Sequence, residues 1–519
     1  MKSKILTGLL VLIVLKSMAQ STEIAVHHNE KTIGRNLQSQ NEIKADENIF
    51  PKRIHEFYVD SISGYVTLEL RKLSKNGKVL DLSGTILEYG LNSKNTKWSK
   101  KIDYSVSRFD QYNNIIIQTK GNKISSQNIE NGETLWETKN DLYFVNSMHK
   151  IGVGYQNKGL TGNLNTLAGI NLVDGTTIWE RELNREYGWN KITQLNDSIL
   201  MIAAAGLHTI NIKNGKGWGY NTVTGKKDYT ETIAKNVAGI ALGVLTGTAI
   251  ISSGNNLVRD LLSNEVIEND DIYFASKEEI IRLNKLSGEI IWSYSLPNHQ
   301  TSKSSIFVKD SLLYMINKGY AFWGNKRIDF GEPFMMALNK DNGKQQYFIL
   351  LNQKKNPILD FKVKNDDIVL VFKDRIEKYS LLNGAEIFSK TFNIDELGEL
   401  KFFIGNRIYR DKKNLELSNL ASSDTTKFYV QTSKGKTLEL DNEFTITNQF
   451  DFEYLYFHYL THNDYKFLIK GNQTVILNKD NQMIAELQVS DKSRIIRNKL
   501  YDIIENSLLV VDLSGLTKN

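Results

Sequence analysis

Asn131-Gly132-Glu133-Thr134-Leu135-Trp136 and Asp174-Gly175-Thr176-Thr177-Ile178-Trp179 are one phrase written twice. A turn ending in glycine is followed by three residues and then a large ring. The phrase returns as Ser287-Gly288 with Trp292, Asn342-Gly343 with Tyr347, and Asn383-Gly384 with Phe388. Degenerate copies end at Trp98, with Lys94 in the glycine place, and at Asn214-Gly215-Lys216-Gly217-Trp218. Asn-Gly, Asp-Gly and Ser-Gly supply the positive φ that tight hairpins demand. The flanking stretches are strand-like. Ile115–Thr119, Asp271–Ser276 and Asp367–Phe372 are β-branched or aromatic and are bounded by Asn, Asp, Gly and Lys. A ring at a fixed offset from each turn meets the same surroundings every time, so it is expected to pack one unit on the next.

The spacing sets the repeat. Trp98 to Trp136 is 38 residues, Trp136 to Trp179 is 43, and Tyr347 to Phe388 is 41. A period near 40 with several alternating strands predicts an all-β propeller; helical repeats would show a 3.6-residue period instead. The gap of 113 from Trp179 to Trp292 holds a worn unit around Ile199–Trp218 plus an insertion. Past Phe388 the ring fades. Strand-turn-strand units continue at Lys427–Thr445 and Tyr465–Leu487, with Asn481 in the glycine place. Nine or ten hairpin-like units can be marked. Because a propeller usually completes one blade from both termini, eight blades are expected, with seven as the alternative.

In these residues the chain resembles the PQQ-like, quinoprotein-type propeller repeat over roughly residues 80–490. Gly132/Trp136, Gly175/Trp179 and Gly288/Trp292 match its pattern, while Gly343/Tyr347 and Gly384/Phe388 match with the ring replaced. The resemblance implies that each ring docks on a neighbouring blade. It covers both quinone-dependent dehydrogenases and non-catalytic scaffolds, including a bacterial envelope branch that assists insertion of outer-membrane barrels. The dehydrogenases use calcium held by Glu, Asn and Asp, and often a vicinal disulfide. The chain has no cysteine, which excludes that disulfide and also the lipidated cysteine of the envelope branch. It likewise excludes cysteine-ligated zinc, iron–sulfur clusters and thiol nucleophiles.

The 519 residues are 40% hydrophobic and 24% charged, with four prolines and mean hydropathy −0.36, the balance of a folded globular chain. Met1–Lys4, the apolar run Ile5–Leu15 and Ser17-Met18-Ala19 read as a signal peptide over 1–19. The alternative is an uncleaved anchor, although the run falls short of the ~20 residues a span needs. Removing Lys2, Lys4 and Lys16 takes the net charge from +6 to +3, too little for a nucleic-acid partner. Residues 20–56 read as a flexible leader and 57–519 as the propeller.

Residues 220–266 interrupt it. Tyr229–Ser252 reads as a helix in which Gly239, Gly243 and Gly247 fall four apart on one face, with a second short helix over Asn256–Ser263. Its apolar core, Val237–Ile251, is short for a span. The readings are a helix packed on the propeller, or a membrane-contacting or partner-binding hairpin over 229–263.

No catalytic residue, cofactor site or metal ligand is assigned, and no cofactor is expected. His458 and His462 have a helical metal spacing on a segment that reads as strand. Asp270-Asp271 and Asp366-Asp367 precede strands, where turn chemistry accounts for them. The functional expectation is an exported, non-enzymatic scaffold for protein–protein interaction, periplasmic or, alternatively, secreted or outer-membrane associated. A quinone-dependent dehydrogenase-like enzyme, and a membrane-contacting or ligand-sensing propeller, are the alternatives.

Overall fold

The computed structural model describes residues 24–514 apart from 61–62, 158–163, 185–188, 190, 205, 222–257, 260–261, 277–278, 299, 324–325, 352–355, 405–406, 412–416 and 420–426. The signal peptide expected over 1–19 lies outside the described residues, as do Gly239, Gly243 and Gly247.

The chain is an all-β propeller. Seven separate four-stranded antiparallel sheets follow in chain order, spanning 53–103, 107–138, 144–182, 191–221, 266–295, 304–350 and 360–391; these are units 1 to 7. The remaining large sheet divides along its ladder into three more. Unit 8 is Leu400–Phe403, Phe428–Thr432, Lys436–Leu440 and the first part of the long strand Ile446–His462. Unit 9 takes the end of that strand with Tyr465–Lys470, Gln473–Leu477 and Met483–Leu487. Unit 10 joins Arg494–Ile496, Lys499–Ile504 and Ser507–Asp512 to the N-terminal strand Glu42–Ile49. The ladders thus resolve ten four-stranded units among the described residues, and the eight blades expected from the repeat are not confirmed. Nine or ten hairpin-like units can be marked in the sequence; eight assumed that sharing strands between the termini lowers that number, whereas unit 10, which does take strands from both termini, is itself one of the ten.

Successive units share apolar cores. Units 1 and 2 meet through Ile86, Trp98, Ile102, Phe109 and Ile116. Units 6 and 7 meet through Tyr314, Met335, Tyr347, Leu370 and Phe372, among others. Unit 10 returns to unit 1 through Tyr501, Leu508 and Val510 against Phe57, Leu68 and Leu87, which closes the arrangement. Closure removes the two open faces that a linear stack would leave.

The N-terminal residues correct the expected leader. Residues 24–56 hold the strands His27–Asn36 and Glu42–Ile49 and the start of Arg53–Val59. His27–Asn36 pairs with Glu42–Ile49 on one side and with Met483–Leu487 on the other, so it straps unit 10 to unit 9. Its polar sequence arises because it lies at the perimeter, where Ile33 is the one fully buried side chain of the strand.

The interruption at 220–266 is narrower than expected. Gly219–Asn221 and Val266–Glu268 are strands of units 4 and 5. Val258–Arg259, inside the expected second helix, is a strand paired with Tyr320–Trp323, a hairpin inserted in unit 6. A second insertion, Arg407–Asp411 with Leu417–Asn419, pairs with the middle of Ile446–His462.

Candidate functional site

The repeated residues form one device, used six times in succession. Gly132, Gly175, Gly288, Gly343 and Gly384 all have positive φ, between 70° and 77°. The ring of each unit sits on the turn of the next. Trp98 Nε1 donates to the Ile129 carbonyl at 2.8 Å, Trp136 to Leu172 at 3.0 Å and Trp179 to Ile212 at 2.6 Å. Trp218 donates to Lys285 at 3.0 Å, Trp292 to Lys340 at 2.9 Å, and the Tyr347 hydroxyl to Leu381 at 3.1 Å. Every acceptor lies three residues before the turn glycine. A Cβ on Gly175 would stand 2.6 Å from the Trp136 ring, and one on Gly288 2.3 Å from Trp218. Glycine is therefore required twice here, for its backbone angle and for the ring above it.

Trp218 and Gly288 make this contact across the insertion, so units 4 and 5 are neighbours despite the residues between them. Sequence reading identified both residues but did not pair them. Phe388, the last of the series, is partly exposed and meets Phe444 at 5.8 Å between centroids. Phe444, with φ 56°, stands in the glycine place of unit 8. Lys94 and Asn481 have φ 56° and 59°, the conformation that the glycine place requires.

The residue before each ring has a second role. In the outer strand it drops out of register: Thr134 and Trp136 pair with consecutive residues, leaving Leu135 bulged. Ile178, Ile291 and Ile387 are bulged in the same way. A bulge turns the ring into the junction and leaves the preceding side chain on the perimeter. These four aliphatics are 56%, 43%, 47% and 49% exposed. Ile484 holds the equivalent bulge in unit 9 and is 5% exposed. There the strap covers the edge: Leu37 N donates to the Ile484 carbonyl and Gln488 N to the Ile33 carbonyl. Among the described residues, the outer edges of units 9 and 10 are thus occupied by an added strand, while those of units 2, 3, 5 and 7 carry none.

At the closure the ring-on-turn contact is replaced by a polar one. Asn48, fully buried on the outer strand of unit 10, accepts at Oδ1 from the Tyr89 hydroxyl at 3.2 Å and from Lys94 Nζ at 3.2 Å. His28 Nδ1 lies 3.0 Å from the same oxygen. Nearer the axis, Arg494 binds Glu56 and the Phe57 carbonyl, both at 2.7 Å. The junction of units 1 and 2 buries two carboxyls. Burial pushes Glu69 and Glu88 up to about 7, and Thr67 donates to Glu88 at 2.5 Å. His208, buried against the Ala204 carbonyl, is pushed down to about 4.

His458 and His462 both lie on Ile446–His462, a strand as expected; His458 is exposed and its Nε2 meets Thr461 Oγ1. Among the described residues no cluster of His, Asp and Glu has the form of a metal site, and no helix is long and apolar enough to cross a membrane.

The architecture defines a propeller of ring-on-glycine repeats. Residues 75–294 match the family model described as outer membrane protein assembly factor BamB, which is built on PQQ-type repeats. No curated protein matches the chain. Among solved structures, BamB from Moraxella catarrhalis is 12% identical, covering 78% of this chain and 99% of its own, with a TM-score of 0.31. A computationally designed protein, Ika8, is 11% identical over 79% and 100%, with a TM-score of 0.27. KlHsv2 with its loop 6CD replaced by a Gly-Ser linker is 7% identical over 78% and 98%, with a TM-score of 0.27.

Proposed function

We propose that this protein is an exported, non-enzymatic scaffold of the bacterial envelope that binds protein partners through the outer strands of its units. The observation that carries the reading is the row of bulged aliphatics at Leu135, Ile178, Ile291 and Ile387, set beside Ile484, which an added strand already covers. An extended partner segment laid on an open edge would gain main-chain hydrogen bonds and cover an aliphatic side chain. The family match over residues 75–294 supports an envelope setting. The segment 1–19, read as a signal peptide, supports export.

Site-specific photocrosslinkers at positions 178 and 387, introduced in the native host, test this. Crosslinked adducts with envelope proteins are expected, weakened when Leu135, Ile291 and the strand residues beside the label are changed to lysine. Absence of adducts at both positions, or retention of the chain in the cytoplasm with its first 19 residues intact, would overturn the proposal.

A further inference from the structure

The second hairpin of unit 1 is longer than its counterparts. Its strands Tyr65–Leu73 and Leu80–Gly90 run 9 and 11 residues, against 6 and 5 for Ile115–Lys120 and Lys123–Gln127 in unit 2. The excess carries the turn about 10 Å past the neighbouring unit, at 3.4 Å per residue. The projecting part, residues 71–84, contains Arg71, Lys72, Lys75 and Lys78 and a single carboxylate, Asp81. Arg71 is used within the hairpin, donating to the Asp81 and Leu80 carbonyls and lying over the Tyr104 ring. No ion pair is made by Lys72, Lys75 or Lys78 among the described residues.

The two flanks differ. Strand alternation places Leu73 and Leu82 on the side facing unit 2; both are exposed, as is Val79 at the turn. The Leu82 carbonyl accepts from Tyr104 N, which ties the ridge to the connection leading to unit 2. On the side facing unit 10, Lys72 and Lys101 each act on Lys52. Burial, and then repulsion from those two lysines, holds the Lys52 ammonium below its ordinary range. One edge of the hairpin is thus aliphatic and the other cationic.

We propose that the projecting hairpin 71–84 is a docking surface for an anionic lipid bilayer, with Leu73, Val79 and Leu82 entering the headgroup region and Lys72, Lys75 and Lys78 lying against the anionic surface. Charge complementarity selects this occupant, since the lysines lack acidic partners of their own. The aliphatic side chains at the turn select a bilayer over a soluble polyanion. The site is separate from the outer strands and stands or falls independently of the protein-partner reading.

Vesicle flotation of the mature full-length chain tests it. Binding is expected to vesicles of phosphatidylcholine with 30% phosphatidylglycerol, roughly the anionic fraction at which surface potentials matter, and not to phosphatidylcholine alone. It should weaken as added salt shortens the screening length. K72E/K75E/K78E should lower the partition coefficient about a hundredfold. L73S/V79S/L82S should lower it about tenfold or more while the circular dichroism is unchanged. Deletion of 225–262 should leave binding as in the wild type. The proposal is overturned if the wild type does not float with anionic vesicles at low salt, or if the glutamate variant floats as well as the wild type. It is overturned equally if the deletion abolishes binding, or if soluble polyglutamate captures the hairpin while vesicles do not.

Discussion

Gly175 shows how much one residue can decide. Its φ is 77°, and the Trp136 ring lies where a Cβ would project. Gly175→Ala is therefore expected to cost about 2–4 kcal/mol, well above the cost of alanine in an open turn. Trp136→Ala should cost about 3–5 kcal/mol, through the emptied junction and the orphaned Leu172 carbonyl. Urea titrations measure both, and a loss below 1 kcal/mol would contradict the docking role. The buried carboxyls give a pH test. An unfolded glutamate titrates near 4.3, while Glu69 and Glu88 stand at about 7 in the fold. The folded state then holds more protons than the unfolded state between those values. Stability is highest below the unfolded pKa and falls as pH rises towards 7. Glu69→Gln and Glu88→Gln should each flatten that decline and gain about 1–3 kcal/mol at pH 8, read by denaturation at pH 5 and pH 8. The ring-and-glycine residues were legible in the sequence because the phrase repeats. The two glutamates were not, since burial by a neighbouring unit leaves no local mark.

Among the elements, the strap His27–Asn36 has the largest consequence. Gly34 sits where a Cβ would come within 1.9 Å of the Glu486 carbonyl, so the strand can approach unit 9 only with glycine there. Gly34→Val should displace the strap and uncover Ile484. A loss of about 2–4 kcal/mol is expected, together with faster amide exchange in Met483–Leu487. Unchanged exchange would contradict the strap. Asn48→Ala should cost about 1–3 kcal/mol, because it leaves His28, Tyr89 and Lys94 without their shared acceptor. Sequence reading placed a flexible leader here because the strap is polar and lacks sustained alternation. One of its two partners, Met483–Leu487, lies some 450 residues away, beyond the reach of any local pattern. The strand at Val258–Arg259 escaped notice for a related reason: its pairing depends on a hairpin of unit 6.

Across the whole molecule, the repeat made the all-β propeller legible but not the number of its units. The phrase marks junctions between rings and glycines. It is silent where Asn48, Phe388 with Phe444, or a continuous strand makes the junction instead. The insertion gives one test at this scale. Units 4 and 5 touch through Trp218 and Gly288, so deleting 225–262 should leave the circular dichroism and the unfolding midpoint close to wild type. Loss of the folded baseline would show that the segment is part of the core.

A closed ring requires that unit 10 meet unit 1. The chain has no cysteine, so spin labels can be placed at will. Asn498, Ser63 and Asn114 occupy the exposed first turns of units 10, 1 and 2. Electron–electron dipolar distances should be short and narrow for the pair 498/63, and should match those for the adjacent pair 63/114. A much longer or broad distribution for 498/63, beside a narrow one for 63/114, would mean that the units do not close, and the account would fail with it.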